Sequence, residues 1–277
     1  MWMEAKPCYE EEVVQGIKID LRDKVAIVTG ARRGNGRAMA LAIAEAGGKV
    51  VVNDLDLPEV EKVAREIKEK GGEAFPFPAD VSIKEKVQDM VDTAWKKFGR
   101  LDILVNNAAI LRVAPFLEAL EEDWDLTLAV NLKGTFLCAQ AAARKMIRQS
   151  RGKIINVASN AGKVPRTNNA AYCASKAGVI LLTRVLALEL AQYGITANAL
   201  CPGATETEML VKVQAKDDPL MLQGIIRGNL EKFRAGIPLG RLAKPEEQAA
   251  MVVYLASEMA NHITGQTFIV DGGQTMV

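Results

Sequence analysis

The chain has one histidine, His262, among its 277 residues, and it lies outside any GxSxG or HExxH pattern. This scarcity disfavours a metal-dependent hydrolase and a Ser-His-Asp hydrolase, because both need histidine at the reacting centre. The four cysteines, Cys8, Cys138, Cys173 and Cys201, form no CxxC pair and mostly sit in apolar segments. They are therefore interpreted as buried thiols in a reducing compartment, and no metal is expected.

The chain also lacks a large excess of positive or negative charge and has no long apolar run. The 35 basic residues are balanced by 34 acidic ones, and no basic run with interleaved aromatic residues predicts a nucleic-acid partner. We find no apolar run of the ~18 residues that span a bilayer, and the start of the chain lacks the basic and apolar parts of an export signal. A cytoplasmic protein with no membrane partner is expected.

Short β-branched apolar runs alternate with longer amphipathic stretches from about residue 24 onward. This alternation predicts an α/β fold, with a doubly wound, mostly parallel seven-stranded sheet and helices on both faces. The predicted strands are Val25–Val28, Val50–Val52, Ala74–Phe77, Ile103–Val105, Ile154–Val157, Thr196–Leu200 and Thr267–Val270.

The domain organisation follows from the absence of a linker, repeat or low-complexity tract. Residues 1–22 are predicted to be an N-terminal arm, since they contain the acidic cluster Glu10–Glu12 and show no clear periodicity. Residues 23–277 are predicted to form a single dinucleotide-binding catalytic domain. Within it, the Met- and Leu-rich segment 207–236 is predicted to be a lid, because a helical form would present one apolar face.

A glycine-rich turn follows the first predicted strand, with Gly30, Gly34 and Gly36 preceding an amphipathic helix. Glycines there allow the backbone to approach a pyrophosphate, and the start of a helix offers unpaired N–H groups. A tight strand-to-helix turn would also use such glycines. Their position after the first strand of an alternating pattern favours dinucleotide binding and a Rossmann fold.

Asp54 ends the second strand, about 20 residues beyond the glycines, where a carboxylate can accept hydrogen bonds from both ribose hydroxyls. The same charge would repel a 2′-phosphate, which favours NAD over NADP. Arg33 argues the other way, because a guanidinium there could pair with that phosphate. We weight the carboxylate more, so NAD is the expected cofactor and NADP the alternative.

Tyr172 and Lys176 are four residues apart in a segment that reads as helix, which puts both side chains on one face. A free tyrosine titrates near pH ~10, and a neighbouring cation would favour its phenolate. The pair is a candidate acid–base device, although a solvated helix face would show the same spacing.

Taken together, TGxxxGxG from Thr29, Asn106-Asn-Ala-Ala109, and Tyr172 with Lys176 resemble the short-chain dehydrogenase/reductase family over residues 21–277. The resemblance implies cofactor contacts from Gly30, Arg33, Gly34, Asn35, Gly36, Asp54, Asp80, Val81, Asn107, Ala108, Tyr172, Lys176, Pro202, Gly203, Thr205 and Thr207. Two positions depart from the family pattern: Asn35 replaces an aliphatic residue, and Ala109 replaces a glycine.

The resemblance also implies a catalytic tetrad of Asn131, Ser159, Tyr172 and Lys176. Tyr172 would exchange a proton with the substrate oxygen, and Ser159 would hydrogen-bond that oxygen. Lys176 would lower the phenol's pKa and bind the nicotinamide ribose, and Asn131 would bend its helix and hold a water linked to Lys176. Taken singly, Ser159 also fits a loop hydroxyl, and Asn131 and Asp80 also fit helix caps.

The implied activity is NAD(P)-dependent hydride transfer between nicotinamide and a secondary alcohol or ketone. By analogy with family members that oxidise diols, polyols and sugars and that have a segment of similar length, the resemblance implies a small polyol, diol, sugar or sugar acid as substrate. A 3-oxoacyl-[acyl-carrier-protein] reductase, a dihydroxybenzoate-type dihydrodiol dehydrogenase and a non-catalytic nucleotide sensor remain alternatives. Lys163, Arg166, Arg112 and Arg227 are candidates for the cleft mouth, and the family resemblance implies a homotetramer.

Overall fold

The computed structural model describes residues 19–214 and 218–276, so residues 1–18 of the predicted arm lie outside the described residues. The strands are β1 Val25–Val28, β2 Lys49–Asp54, β3 Glu73–Pro78, β4 Ile103–Asn106, β5 Gly152–Val157, β6 Ile195–Pro202, β7 Gly228–Asn229, β8 Arg234–Ala235 and β9 Thr267–Val270. The helices are α1 Gly34–Glu45, α2 Leu57–Glu69, α3 Lys84–Phe98, α4 Glu121–Leu128, α5 Gly134–Arg148, α6 Ala170–Leu190, α7 Pro219–Arg227 and α8 Pro245–Ala256.

Seven of these strands form one parallel sheet in the order β3-β2-β1-β4-β5-β6-β9. The predicted fold class is therefore confirmed. β3 contains Pro76 and Pro78 and lies at an edge of the sheet. Proline lacks a backbone N–H group, and an edge strand tolerates this loss because it forms hydrogen bonds with only one neighbouring strand.

Alternate strand residues pack into two separate cores, one on each face of the sheet. Val25 and Ile27 of β1 belong to the core with α3 and α5, whereas Ala26 and Val28 belong to the core with α1, α2 and α8. Successive side chains of a strand point to opposite faces. This explains why the strands read as continuous apolar runs rather than as alternating patterns.

The chain reverses its direction of winding between β1 and β4. β2 and β3 are added on one side of β1, and β5, β6 and β9 are added on the far side of β4. The loops that follow β1 and β4 therefore diverge and leave a crevice at the carboxyl ends of the strands.

Segment 207–236 contains a π-helical turn over Met209–Gln214, then α7 and the β7–β8 hairpin. Leu210 and Ile225 are buried and form a small core with Ala204, Ile237 and Leu242. The apolar face of the segment thus packs largely on the body of the protein, and its role as a lid stays a prediction.

Helix Ala170–Tyr193 is long and apolar enough to cross a membrane, with a mean hydropathy of 1.5. A core helix passes the same test, and this one packs along β6 and buries Ser175 and Lys176. Its position beside the sheet accounts for part of its apolar composition, and Leu181, Val185 and Leu188 on its outer face are exposed.

Candidate active site

A cleft of about 470 Å³ lies at the carboxyl ends of the parallel strands. It is lined by the predicted residues Gly30, Arg33, Gly34, Asn35, Gly36, Asp54, Asp80, Val81, Asn107, Ala108, Ser159, Tyr172, Lys176, Pro202, Gly203, Thr205 and Thr207. Arg112 and Arg166 also line it, whereas Lys163 and Arg227 do not, and Asn131 is buried behind it. Most of the residues singled out in the sequence are therefore brought together.

The glycine-rich turn leaves no room for side chains. Gly30 has φ +64°, and a Cβ there would lie 2.7 Å from the Ala108 Cα. A Cβ on Gly36 would lie 2.1 Å from the Gly30 carbonyl oxygen. The Asn107 side chain donates to the carbonyl oxygens of Thr29 and Gly30 at 3.0 Å each, which fixes the turn against the loop after β4.

The start of α1 offers free polar groups to the cleft. Arg33 precedes the helix and supplies no side-chain cap, so the first-turn N–H groups are available to an anion. Asn35 lies in that turn, and its Oδ1 is buried without a hydrogen-bond partner among the described residues. Open N–H groups, a turn that excludes side chains and an unsatisfied amide together fit a bound dinucleotide.

The carboxylate of Asp54 has a basic neighbour that the sequence pattern did not single out. Arg32 donates its backbone N–H to Asp54 Oδ2 at 3.3 Å, and its Nε lies 3.4 Å from Oδ1. Arg33 instead pairs with Glu208 at the start of segment 207–236. The sequence alone does not distinguish Arg32 from Arg33 as the neighbour of Asp54, because the backbone conformation of the turn determines which side chain faces the carboxylate.

Asp80 follows β3 and accepts hydrogen bonds through Oδ1 from the Ser82 backbone at 2.8 Å and from its hydroxyl at 2.7 Å. The residue that caps α3 is Ile83, so the alternative of Asp80 as that cap does not hold. Asp80 Oδ2 accepts no hydrogen bond from the described residues, so it can accept one from a ligand. We call this region, with Gly30 and Asp54, the nucleotide end of the cleft.

Tyr172, Ser159 and Lys176 meet in the middle of the cleft. The Ser159 hydroxyl lies near the phenol of Tyr172 and favours its phenolate, and it accepts a hydrogen bond from the Ala161 backbone N–H at 3.1 Å. Lys176 donates to the Val157 carbonyl oxygen at 2.8 Å, and its Nζ lies 5.7 Å from the centre of the Tyr172 ring.

The electrostatics of this pair differ from the sequence expectation. Burial raises the pKa of Tyr172 to about 12, against a lowering by the Ser159 hydrogen bond. Burial lowers the pKa of Lys176 to about 8, so this lysine keeps its proton at neutral pH. Desolvation is the largest cause of both shifts, and Lys176 donates its hydrogen bond to Val157 rather than to the phenol.

Asn131 lies in a π-helical turn, Ala129–Lys133, between α4 and α5. Its Oδ1 accepts from the Ile110 backbone at 2.8 Å, and its Nδ2 donates to the Ile110 carbonyl at 3.0 Å and the Ser175 hydroxyl at 3.1 Å. Asn131 therefore joins the loop after β4 to α6, one position before Lys176. Its water-mediated link to Lys176 stays a prediction.

A buried polar chain that sequence reasoning missed also positions α6. Asn106 donates to Asn156 Oδ1 at 2.9 Å, and Asn156 donates to the Thr183 hydroxyl at 2.9 Å. The chain links β4, β5 and the helix that carries Tyr172 and Lys176. The available signal was an asparagine inside the apolar run of β5, since a buried amide requires hydrogen-bond partners.

Two arginines and an asparagine, Arg166, Arg234 and Asn169, line the far side of the cleft from the nucleotide end, after β5 and β6. The same three residues line an adjoining pocket of about 250 Å³. We call this region the arginine end. Arg234 lies in β8, and nothing in the sequence marked it.

Comparisons with known proteins agree with this geometry. A family model described as enoyl-(acyl carrier protein) reductase matches residues 30–275. The chain is 38% identical over 256 residues to 2,3-dihydro-2,3-dihydroxybenzoate dehydrogenase of Bacillus subtilis, covering 92% of this chain and 97% of that protein. It is 42% identical over 258 residues to a 3-oxoacyl-[acyl-carrier-protein] reductase of Synechocystis, covering 92% and 98%. A crystal structure of a short-chain type dehydrogenase/reductase from Mycobacterium marinum superposes with a TM-score of 0.85 at 37% identity, covering 93% and 98%.

Proposed function

Because the chain belongs to the short-chain dehydrogenase/reductase family, and is thereby an NAD(P)-dependent oxidoreductase acting on CH–OH or ketone groups, we propose that Tyr172, Ser159 and Lys176 do its chemistry. The observation that carries the proposal is that Tyr172, Ser159 and Lys176 line one cleft together with the residues predicted to bind the cofactor. A non-catalytic nucleotide sensor would not need these three side chains beside the cofactor site, so we set that alternative aside.

In this mechanism the nicotinamide, when bound, supplies the hydride acceptor or donor. Tyr172 gives its proton to a ketone oxygen or takes one from an alcohol, and Ser159 hydrogen-bonds the same oxygen. A phenol with a raised pKa keeps its proton at neutral pH, which suits donation. The reverse direction needs the phenolate, which Ser159 favours, and a cation as close as Lys176 would favour it as well.

The cofactor would be held along the nucleotide end. Gly30, Gly34 and Gly36 with the start of α1 suit the pyrophosphate, and Asp54 suits the ribose hydroxyls. The further cofactor contacts proposed are Arg33, Asn35, Asp80, Val81, Asn107, Ala108, Tyr172, Lys176, Pro202, Gly203, Thr205 and Thr207. NAD is proposed over NADP, because Asp54 lines the cleft and Arg33 is engaged by Glu208.

The substrate is proposed to be a small, polar secondary alcohol or its ketone: a polyol, diol, sugar or sugar acid. The polar arginine end of the cleft supports this class. A 3-oxoacyl thioester and a cyclic dihydrodiol remain candidates, since relatives at 42% and 38% identity carry those names.

The test is NADH formation or consumption with a panel of polyols, sugar acids, dihydrodiols and 3-oxoacyl thioesters, with NAD and with NADP. Turnover of small alcohols with NAD is expected. Turnover of thioesters alone would replace the substrate assignment, and binding of NADH without any turnover would favour the sensor.

We propose that the protein is cytoplasmic and forms a homotetramer. The exposed apolar face of α6 supports the assembly. Leu181, Val185 and Leu188 are 61%, 42% and 82% exposed there, and a second copy would cover them. Light scattering should give the mass of four chains, and a stable monomer would contradict this assembly.

A further inference from the structure

Two guanidinium groups at the arginine end have buried nitrogens without partners. Among the described residues, Arg166 Nη2 and Arg234 Nε are shielded from solvent and donate to no acceptor, Arg166 Nη1 donates only to the Pro165 carbonyl at 3.3 Å, and neither arginine forms an ion pair. The arginines that do pair with carboxylates are Arg22, Arg32, Arg33, Arg37, Arg100, Arg112, Arg151 and Arg241. Both side chains are half-buried, and a partly desolvated cation without a counterion is costly to the folded protein, so its retention calls for a ligand.

The two charges also act on each other. Burial and, to a smaller extent, the charge of Arg166 together lower the pKa of Arg234 to about 10. Burial likewise lowers the pKa of Arg166. Two like charges held together in a partly dry site repel each other, and an anion between them would relieve both the repulsion and the desolvation.

Neighbouring carboxylates are already occupied. The charge of Asp271 reaches Arg166, but its Oδ2 accepts from Thr275 at 2.6 Å and from Asn160 at 3.2 Å, and its Oδ1 accepts from the Gly273 backbone at 3.1 Å. Asp218 lines the adjoining pocket and caps α7 through the Leu220 N–H at 2.8 Å. Neither residue forms an ion pair with these arginines.

The position of the arginines connects them to the reacting centre. Arg166 and Arg234 line the same cleft as Tyr172 and Ser159. Asn169, the residue just before α6, is buried, and its Oδ1 has no hydrogen-bond partner among the described residues. Tyr172 lies in the first turn of that helix, so a small molecule can reach both the phenol and this polar group.

We propose that Arg166 and Arg234 bind an anionic oxygen group of the substrate, a carboxylate or a phosphate monoester, while its CH–OH group faces Tyr172. Asn169 Oδ1 accepts a hydrogen bond from a further hydroxyl of the same molecule. This assignment rests on the proposed function and narrows it to hydroxy acids or phosphorylated alcohols, with sugar acids preferred to neutral polyols.

The first test compares matched acid and neutral pairs: gluconate against glucitol, 3-hydroxybutyrate against 2-butanol, and glycerol 3-phosphate against glycerol. The acid of at least one pair should have the lower KM. In Arg166→Gln and Arg234→Gln its KM should rise about 10- to 100-fold, because a charge-assisted hydrogen bond is lost. Lysine at either position should restore part of the affinity.

Arg65→Gln is the matched control, because Arg65 is exposed on α2 and outside the cleft. It should change no KM. The proposal is overturned if no acid is preferred to its neutral analogue, or if the two cleft variants weaken acids and neutral alcohols equally.

The second test needs no turnover. Without polyvalent anions, Arg234→Gln should unfold at a higher temperature than the wild type, since a buried unpaired charge is removed. Gluconate or inorganic phosphate should raise the Tm of the wild type and of Arg65→Gln, but not that of the cleft variants. Equal anion effects on all of them would overturn the site.

The outcomes also separate this site from the proposed activity. Anion stabilisation that depends on Arg166 and Arg234 without any turnover would keep the site and reject the enzyme. Efficient turnover of neutral alcohols only would keep the enzyme and reject the site.

Discussion

The nucleotide end and the arginine end of the cleft hold their polar groups in different ways. At the nucleotide end, Asn107 is bound to backbone carbonyls, Asp54 has Arg32 beside it, and Asp80 is bound to Ser82. At the arginine end, buried nitrogens of Arg166 and Arg234 have no hydrogen-bond partner among the residues that the structure describes. The nucleotide end is held largely by its own contacts, although Asn35 Oδ1 beside it has no partner among the described residues, whereas the guanidinium groups of the arginine end depend on what they bind.

This difference matches the chemistry asked of each end. A dinucleotide is held mostly by backbone groups and close packing, which the fold supplies before binding. An anionic substituent of a substrate needs a positively charged side chain that is not already paired with a carboxylate of the protein. Variants should therefore separate cofactor binding from substrate binding.

The largest effect is expected at the centre that both ends serve. Tyr172→Phe removes the proton donor and should lower kcat about 10²- to 10⁴-fold, a typical loss for a general acid. The ring still fills its place, so NADH affinity at the nucleotide end should change little. Stopped-flow or steady-state rates together with an NADH fluorescence titration check both statements, and retained turnover would remove Tyr172 from its role.

The next prediction concerns a substitution that affects only the nucleotide end. In Gly36→Ala the new methyl would lie 2.1 Å from the Gly30 oxygen and 2.4 Å from Asn107 Nδ2. Overpacking costs about 1–3 kcal/mol, so the Kd for NADH should rise about 10- to 100-fold. Anion-dependent stabilisation at the arginine end should persist.

Gly99→Ala provides the control for Gly36→Ala. Gly99 has φ +74°, but a Cβ there meets nothing within 4 Å. Strain at this position should lower the Tm without weakening NADH binding. If both variants lost NADH affinity equally, close approach at Gly36 would not be the cause.

Cofactor preference should change by a smaller factor. Asp54→Asn removes the charge that opposes a 2′-phosphate and releases Arg32, so kcat/KM for NADP relative to NAD should rise about tenfold, equivalent to ~1.4 kcal/mol. Adding Arg32→Gln should cancel the gain. Asp56→Asn is the control, because Asp56 lies 4.0 Å from Arg32 and caps α2. An equal shift in that variant would indicate a general charge effect.

The sequence predicted the nucleotide end better than the arginine end for a physical reason. The groups of the nucleotide end follow strands that apolar runs reveal, and one short motif contains its glycines. The arginine end combines Arg166 and Arg234, which are far apart in the chain and meet only through tertiary packing. β7 and β8 have two residues each, too few for a periodic pattern to appear.

The direction of the Tyr172 pKa was missed for a related reason. Spacing puts Lys176 near the phenol, but burial depends on β5, β6 and the loops that surround α6. Desolvation raises the pKa of Tyr172 and lowers that of Lys176, and no local pattern reports desolvation. The strands and the fold could be predicted because continuous apolar runs alternate along the chain with longer amphipathic stretches.

The smallest expected effect is at the contact between the glycine-rich turn and segment 207–236. Arg33 pairs there with Glu208, and both side chains are about half exposed, at 52% and 46%. Exposed ion pairs contribute at most about 1 kcal/mol, so Glu208→Gln should speed NADH release less than about fivefold.

High salt should abolish that difference, because screening weakens the pair in the wild type as well. Glu206→Gln is the matched control, since Glu206 is exposed two residues away and forms no ion pair among the described residues. Stopped-flow NADH release at low and high salt measures both variants. A much larger, salt-independent effect of Glu208→Gln would mean that segment 207–236 retains the cofactor through the Arg33–Glu208 contact. The hydrogen bonds of the nucleotide end would then not be sufficient to hold the cofactor.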